Sequence, residues 1–135
     1  MTDVQAGTLV AANPAALGSS AAETTVASGA TLSIANVAMA NEPVSISGNG
    51  VGGAGALTGG GAAALAGDLT LAAPSRIGTT SAGSSLTITG AVNAPAQPLS
   101  IAGPGDVSAA NLANDFSTFS IAGARNVALR DWNAI

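Results

Sequence analysis

An all-β parallel solenoid is the fold class the sequence predicts, and three observations predict it. Short apolar-small-apolar segments recur, each ended by Gly, Asn or Pro. The pattern repeats internally, and the apolar residues are mostly Ala, Val, Leu and Ile, with aromatic rings only at Phe116, Phe119 and Trp132. Alternation closed by turn residues is what half-buried strands require. Internal repetition favours stacked coils. Small aliphatic side chains suit thin layers better than a thick globular core.

In chain order the strand segments are 7–10, 25–26, 30–34, 44–47, 69–71, 85–89, 99–101, 119–121 and 127–129. They start roughly 8 to 20 residues apart, a spacing that fits several short strands per coil and fits an antiparallel sandwich equally well. Repetition separates the two. Pro43-Val44-Ser45-Ile46-Ser47-Gly48-Asn49-Gly50 returns as Pro98-Leu99-Ser100-Ile101-Ala102-Gly103-Pro104-Gly105, and a weaker echo links Val4-Gln5-Ala6-Gly7-Thr8-Leu9 to Val26-Ala27-Ser28-Gly29-Ala30-Thr31-Leu32. In a parallel solenoid the Val, Leu and Ile of these segments point inward and stack, with about 4.8 Å between coils, while Ser and Thr alternate outward. Gly and Asn then fit the corners. Roughly six coils of about 20 residues each would make a rod about 30 Å long. Residues 11–22 are Ala-rich but broken by Asn13-Pro14 and Gly18-Ser19-Ser20, which makes them an excursion from the coil.

The composition bounds function. With 47% hydrophobic and 7% charged residues the chain can bury a core, and its 135 residues read as one unit, 1–135. A net charge of −4, with Arg76, Arg125 and Arg130 as the only cations, offers no basic face for nucleic acid and no polybasic patch for a membrane surface. Cysteine and histidine are absent, which removes disulfides and thiol or imidazole chemistry. The uncharged stretch 43–67 holds too many glycines and polar residues for a spanning helix. The opening Met1-Thr2-Asp3-Val4-Gln5 is not a secretory leader, so an export signal is expected outside this chain.

The first part, 1–92, resembles the autotransporter-associated β-strand repeat of type V secreted passengers. The resemblance rests on Val4-Gln5-Ala6-Gly7-Thr8-Leu9-Val10, Asn13-Pro14-Ala15-Ala16-Leu17-Gly18 and Thr25-Val26-Ala27-Ser28-Gly29-Ala30-Thr31-Leu32. It continues through Pro43-Val44-Ser45-Ile46-Ser47-Gly48-Asn49-Gly50, Gly55-Ala56-Leu57, Gly67-Asp68-Leu69-Thr70-Leu71 and Ile77-Gly78-Thr79. Residues 93–135 resemble a repeat of filamentous-haemagglutinin-like exoproteins, on the run from Leu112-Ala113-Asn114-Asp115-Phe116 to Trp132-Asn133-Ala134-Ile135. These resemblances imply a right-handed parallel β-helix, a single-stranded superhelix exported to the surface or exterior of a Gram-negative cell as a stalk or adhesive rod. They imply an outer-membrane translocator for the parent protein, host or cell-surface glycans or proteins as possible receptors, and no catalytic residue. The chain then reads as a fragment of such a protein.

Candidate sites weigh little against structural roles. Gly48, Gly50 and Gly53, and Gly50, Gly52 and Gly55, satisfy a dinucleotide fingerprint, but no helix opens after them and no βαβ unit surrounds them. Gly52-Gly53 and Gly59-Gly60-Gly61 suggest calcium-binding coils, yet no carboxylate lies between Glu42 and Asp68. Asp106, Asp115 and Asp131 could form the acid cluster of a polysaccharide-cleaving β-helix, without His or Lys as partner base; turn or strand-end roles fit better. Thr87-Ile88-Thr89 is one rung, not an ice-binding array. Asn111, Asn114, Asn126 and Asn133 could form amide ladders between coils. Trp132 and the Phe116/Phe119 pair are expected to be buried under the last coil rather than to form a sugar platform. The sequence therefore assigns no catalytic, cofactor-binding or metal-ligating residue. Its expected partner is itself: coil ends with only Asp3 on one side and Arg130 and Asp131 on the other invite head-to-tail stacking, unless residues 1–4 or 132–135 fold back as caps. A non-catalytic structural or adhesive segment is the leading reading, a self-assembling fibre module the alternative, and a glycan-active enzyme the distant third.

Overall fold

The computed structural model describes residues 2–18, 21–109, 111 and 115–130, apart from the side chains of Pro95, Phe116 and Ser117. The strands are β1 (Thr2–Val4), β2 (Thr8–Ala11), β3 (Thr24–Val26), β4 (Thr31–Ala35), β5 (Ala38–Met39), β6 (Val44–Gly48) and β7 (Leu57–Gly60). They continue as β8 (Ala62–Leu65), β9 (Leu69–Thr79), β10 (Ser85–Ile88), β11 (Val92–Ala102), β12 (Asp106–Ala109), β13 (Asp115–Ile121) and β14 (Asn126–Leu129).

Every strand pair is parallel, and the pairs sort into three sides of a solenoid of about five turns. The first side stacks β1, β3, β6 and the leading halves of β9, β11 and β13; the second stacks β2, β4, β7 and their trailing halves; the third stacks β5, β8, β10, β12 and β14. Thr2 lies beside Thr24, Thr24 beside Val44, Val44 beside Leu69, and Leu69 beside Val92, steps of roughly 20–25 residues that make one strand-repeat coil each. No antiparallel sandwich can have this register. Six rungs bound the five turns, because the outermost rungs pair on one side only.

Alternation along each strand sends one residue in two to the interior. On the second side Leu9, Leu32, Leu57, Ile77, Ile101 and Ile121 form one continuous column. On the first side Val4, Val26, Ile46 and Leu71 do the same, and on the third Met39, Leu65, Ile88, Ala109 and Leu129. The expected inward positions from Val26 to Ile101 are all buried. The end coils depart from the expectation. Leu9 is 37% and Ile121 52% exposed, as is 37% of Phe119, because β2 pairs only with β4 and β13 only with β11 among the described strands. Val10 is 57% exposed, pointing outward as the neighbour of inward Leu9.

The two sequence repeats exchange importance. The weaker echo is the true coil repeat: Val4 pairs with Val26, Thr8 with Thr31 and Leu9 with Leu32. The closer match is not, since Val44 stands on the first side opposite Leu69, whereas Leu99 stands on the second opposite Ser75. Both stretches meet the same local demand, a short strand followed by a glycine corner, on different sides of the coil. The excursion 11–22 begins as the end of β2 and becomes a turn in which Asn13 Oδ1 accepts from the Ala15 N–H at 2.9 Å. Its Leu17 is buried in the core, where the described residues of the first coil form a turn. The stretch 43–67 forms β6, β7 and β8.

Candidate functional site

Buried hydroxyls and corner amides bind coil to coil. The Thr31 hydroxyl donates to Gly55 O at 2.8 Å and accepts from the Val51 N–H at 2.8 Å. Thr79 Oγ1 accepts from the Gly105 N–H at 2.8 Å, Ser84 Oγ from Gly61 at 3.0 Å, Asn36 Oδ1 from Ala62 at 3.1 Å, and Asp68 Oδ1 from Ala91 at 2.9 Å. These partners lie 20 to 26 residues apart, one coil's length. Inside the second coil's corner the Thr24 hydroxyl bonds the buried Glu42 Oε1 at 2.6 Å, giving a polar group in the interior a partner. Arg76 reaches further. Its Nη1 donates to Gly53 O at 2.9 Å and its Nε to Ser100 Oγ at 3.2 Å, so one side chain spans from the corner before β7 to β11. Sequence reasoning missed this clasp and the Glu42 bond. The only hint of either was a lone charge in an otherwise uncharged run.

The glycine fingerprint is a corner. Residues 49–56 link β6 to β7 through a 3-10 turn at Val51–Gly53, and Gly50 has φ of 76°, with its missing Cβ position only 1.9 Å from Gly55 O. A side chain there is excluded by the chain's own backbone, and the loop's N–H groups turn to Thr31 Oγ1 and Asn49 O instead of to a phosphate. Gly59 and Gly60 are strand residues of β7, and Gly59 stands where the Cβ atoms of Leu86 and Ala63 fill the interior.

The carboxylates are apart. Asp115 begins β13 on the first side, opposite Asn93, whereas Asp106 begins β12 on the third side, opposite Asn126. Asp131 lies outside the described residues. Among the described residues no three His, Cys, Asp or Glu side chains form a group able to hold a metal. Asp106 takes a two-pronged ion pair from the next coil: Arg125 Nε donates to Oδ1 at 2.9 Å and Nη2 to Oδ2 at 2.7 Å, and Asn126 Nδ2 adds a bond to Oδ1 at 3.0 Å. The Arg125 hydrogen bond, aided by Asn126, holds the Asp106 carboxyl well below its ordinary 3.8, at about 2. Such an acid is a strand-end anchor rather than a proton donor. Its folded value is depressed, so its stabilising effect is present above pH 3.8 and is lost as pH falls through about 2. The melting temperature of the wild type should therefore converge on that of Asp106→Asn between pH 4 and pH 2. Because the pair is exposed, the gap at pH 7 should be small and shrink in salt. A gap independent of pH contradicts the assignment.

Thr87 shares its outward column with Ala38, Ala64, Ser108 and Ala128, so among the described residues that column is not a threonine array. A shallow depression of about 210 Å³ there is lined by Thr87, Ile88, Thr89, Ser108 and Asn111, with no titratable group. Asn111 Nδ2 donates to Thr89 O at 2.7 Å, and Asn126 Nδ2 donates to Asp106, bonds to backbone and carboxylate across coils. Asn114, Asn133 and Trp132, the Phe116 side chain, Met1 and residues 132–135 lie outside what is described, whereas Thr2–Val4, the rest of the alternative N-terminal cap, is the strand β1 paired with β3. A second depression, about 260 Å³, opens at the N-terminal end of the rod and is lined by Asp3, Val4, Gln5, Ala6, Thr8 and Leu9.

Comparison of the chain with family models, curated proteins and solved structures finds no match to any of the three.

Proposed function

We propose that this chain is a non-catalytic structural segment, a rigid piece of a rod that an exported bacterial surface protein uses to hold or present an adhesive region. One observation carries the reading: eight polar side chains are bonded to the neighbouring coil. Thr31, Asn36, Asp68, Arg76, Thr79, Ser84, Asp106 and Asn111 all reach one coil up or down. Side chains engaged in this way stiffen a stack. The exported setting rests on the resemblance to autotransporter and haemagglutinin-like repeats, and glycans or proteins of a host or neighbouring cell are the receptors such a rod meets.

Two experiments test it. A panel of bacterial, plant and host polysaccharides incubated with the purified chain should show no cleavage; turnover that Asp115→Ala abolishes would replace the structural reading with an enzymatic one. Placed between an export signal and an outer-membrane translocator, the chain should reach the surface of a Gram-negative cell as a folded, protease-resistant segment. Retention in the periplasm speaks against an exported role.

A further inference from the structure

We infer that Asn49–Gly50 is a site of spontaneous covalent modification, at which the backbone nitrogen of Gly50 displaces ammonia from the Asn49 side chain and leaves isoaspartate in the corner that Arg76 clasps. Asn49 is the one asparagine of nine that glycine follows. Glycine matters because an attacking nitrogen with no Cβ beside it meets little steric resistance. The pair lies mid-chain, at the corner between the first and second sides, where coils adjoining either end of the chain do not cover it. The inference goes beyond the rod reading and does not need it.

Both reacting groups are available. The Asn49 side chain is exposed and has no hydrogen-bond partner among the described residues. Neither has the Gly50 N–H, whereas those of Val51, Gly53, Ala54 and Gly55 are bonded to Thr31 Oγ1, Gly50 O, Val51 O and Asn49 O. The last of these bonds acts on the reacting peptide itself. Gly55 N–H donates to Asn49 O at 2.8 Å, which draws electron density from the Gly50 nitrogen and eases loss of its proton. The Arg76 guanidinium, bonded to Gly53 O at 2.9 Å, adds positive charge to the same corner. No other described asparagine combines these features. Asn13 precedes Pro14, which has no N–H; Asn36 Oδ1, Asn111 Nδ2 and Asn126 Nδ2 are hydrogen-bonded; Asn93 sits inside β11 between two ladders. Asn41 is exposed, but the Glu42 N–H that follows it donates to Ala40 O at 2.6 Å.

The Gly50 nitrogen, once deprotonated, forms a bond to Asn49 Cγ, and the Cγ–Nδ2 bond breaks as ammonia leaves. A cyclic succinimide remains. Water then opens it at either carbonyl: breaking the new N–Cγ bond gives aspartate in an unaltered chain, and breaking the original peptide bond gives isoaspartate, whose chain runs through Cβ and Cγ. The second product lengthens a corner that is already tight, since the Cβ position of Gly50 is only 1.9 Å from Gly55 O. It also takes the Asn49 carbonyl, which Gly55 N–H bonds, out of the chain. Val51 and Gly53, which hold Thr31 and Arg76, belong to the same turn and shift with it.

Ageing of the purified, folded chain at mildly alkaline pH, followed by peptide mapping, tests the proposal. Asn49 should gain about 1 Da roughly tenfold faster than Asn41 in the same sample, at a rate that rises with pH as base removes the Gly50 proton. Methylation by an isoaspartyl methyltransferase should label position 49. The aged isoaspartyl fraction should melt about 5 °C below Asn49→Asp, which carries the same new charge in an unaltered chain. An Asn49 that stays intact, or that reacts no faster than Asn41, overturns the site. An isoaspartyl fraction that melts together with Asn49→Asp overturns its effect on the corner. None of those results touches the rod reading, which falls to polysaccharide turnover instead.

Discussion

Gly90→Val should abolish cooperative folding, and Gly90→Ala should cost about 3 kcal/mol or more. The reason lies at the corner between the third and first sides, where Glu42, Gly67 and Gly90 stack backbone on backbone. A Cβ on Gly90 would sit 2.1 Å from Gly67 O and 2.8 Å from Ala66 O; one on Gly67 would sit 1.9 Å from Glu42 O. Backbone cannot yield as a flexible side chain does. The coil-to-coil bonds bracketing this corner are Val44 N–H to Asp68 O and Leu69 N–H to Ala91 O, both 2.9 Å, and separating the coils to admit a methyl group would lengthen them. Gly83 is the control. Its Cβ position meets nothing within 4 Å, so Gly83→Ala should change stability by no more than about 0.5 kcal/mol. Thermal unfolding of the three variants decides, and a mild Gly90→Ala would mean the coils are not packed this closely.

Leu57→Ala and Ile77→Ala should each destabilise the chain by about 2–5 kcal/mol, while Leu9→Ala in the same column should cost about 1 kcal/mol or less. Leu57 and Ile77 have a coil on both sides and are wholly buried, so truncation leaves a cavity that two rigid layers cannot collapse around. Leu9 has a coil on one side and water on the other, and its truncated space simply fills with solvent. Urea unfolding measures both. Equal losses along the column would contradict a stack whose interior is continuous and whose ends are open.

The interior of this fold was legible wherever apolar and small residues alternate. Val26, Leu32, Ile34, Val44, Ile46, Leu69, Leu71, Leu86, Ile88, Leu99 and Ile101 all point inward as their pattern demands. Strands β7, β8 and β12 were not legible. Leu57-Thr58-Gly59-Gly60 has a single β-branched residue followed by two glycines and Ala62-Ala63-Ala64-Leu65 has none, and they become strands because ladders on both sides supply the hydrogen bonds that local propensity does not. Pro74, Pro95 and Pro98 concealed the length of β9 and β11, whose register shifts accommodate a corner without ending the strand. Exposure at Leu9 and Ile121 depends on what pairs with a strand rather than on its own pattern, so no local reading could find it. Of the candidate residues weighed in the sequence, the glycine run 48–55 is a corner between β6 and β7, and Asp106 and Asp115 begin strands on different sides. What the sequence did not reveal is where the polar groups go, since Arg76, Thr79 and Asp68 meet their partners a full coil away.

Paired cysteines test the coil register most directly, because the chain has none of its own. Thr87 lies beside Ser108 on the third side, both part-exposed, and Ser108 lies beside Ala128. Adjacent parallel strands are about 4.8 Å apart, inside the span a disulfide bridges, and alternate strands are about twice that, outside it. Oxidation of Thr87→Cys/Ser108→Cys should close an intramolecular disulfide nearly completely, and Thr87→Cys/Ala128→Cys should remain reduced within the monomer. Closure of the second pair, or failure of the first, would contradict the stacked parallel coil.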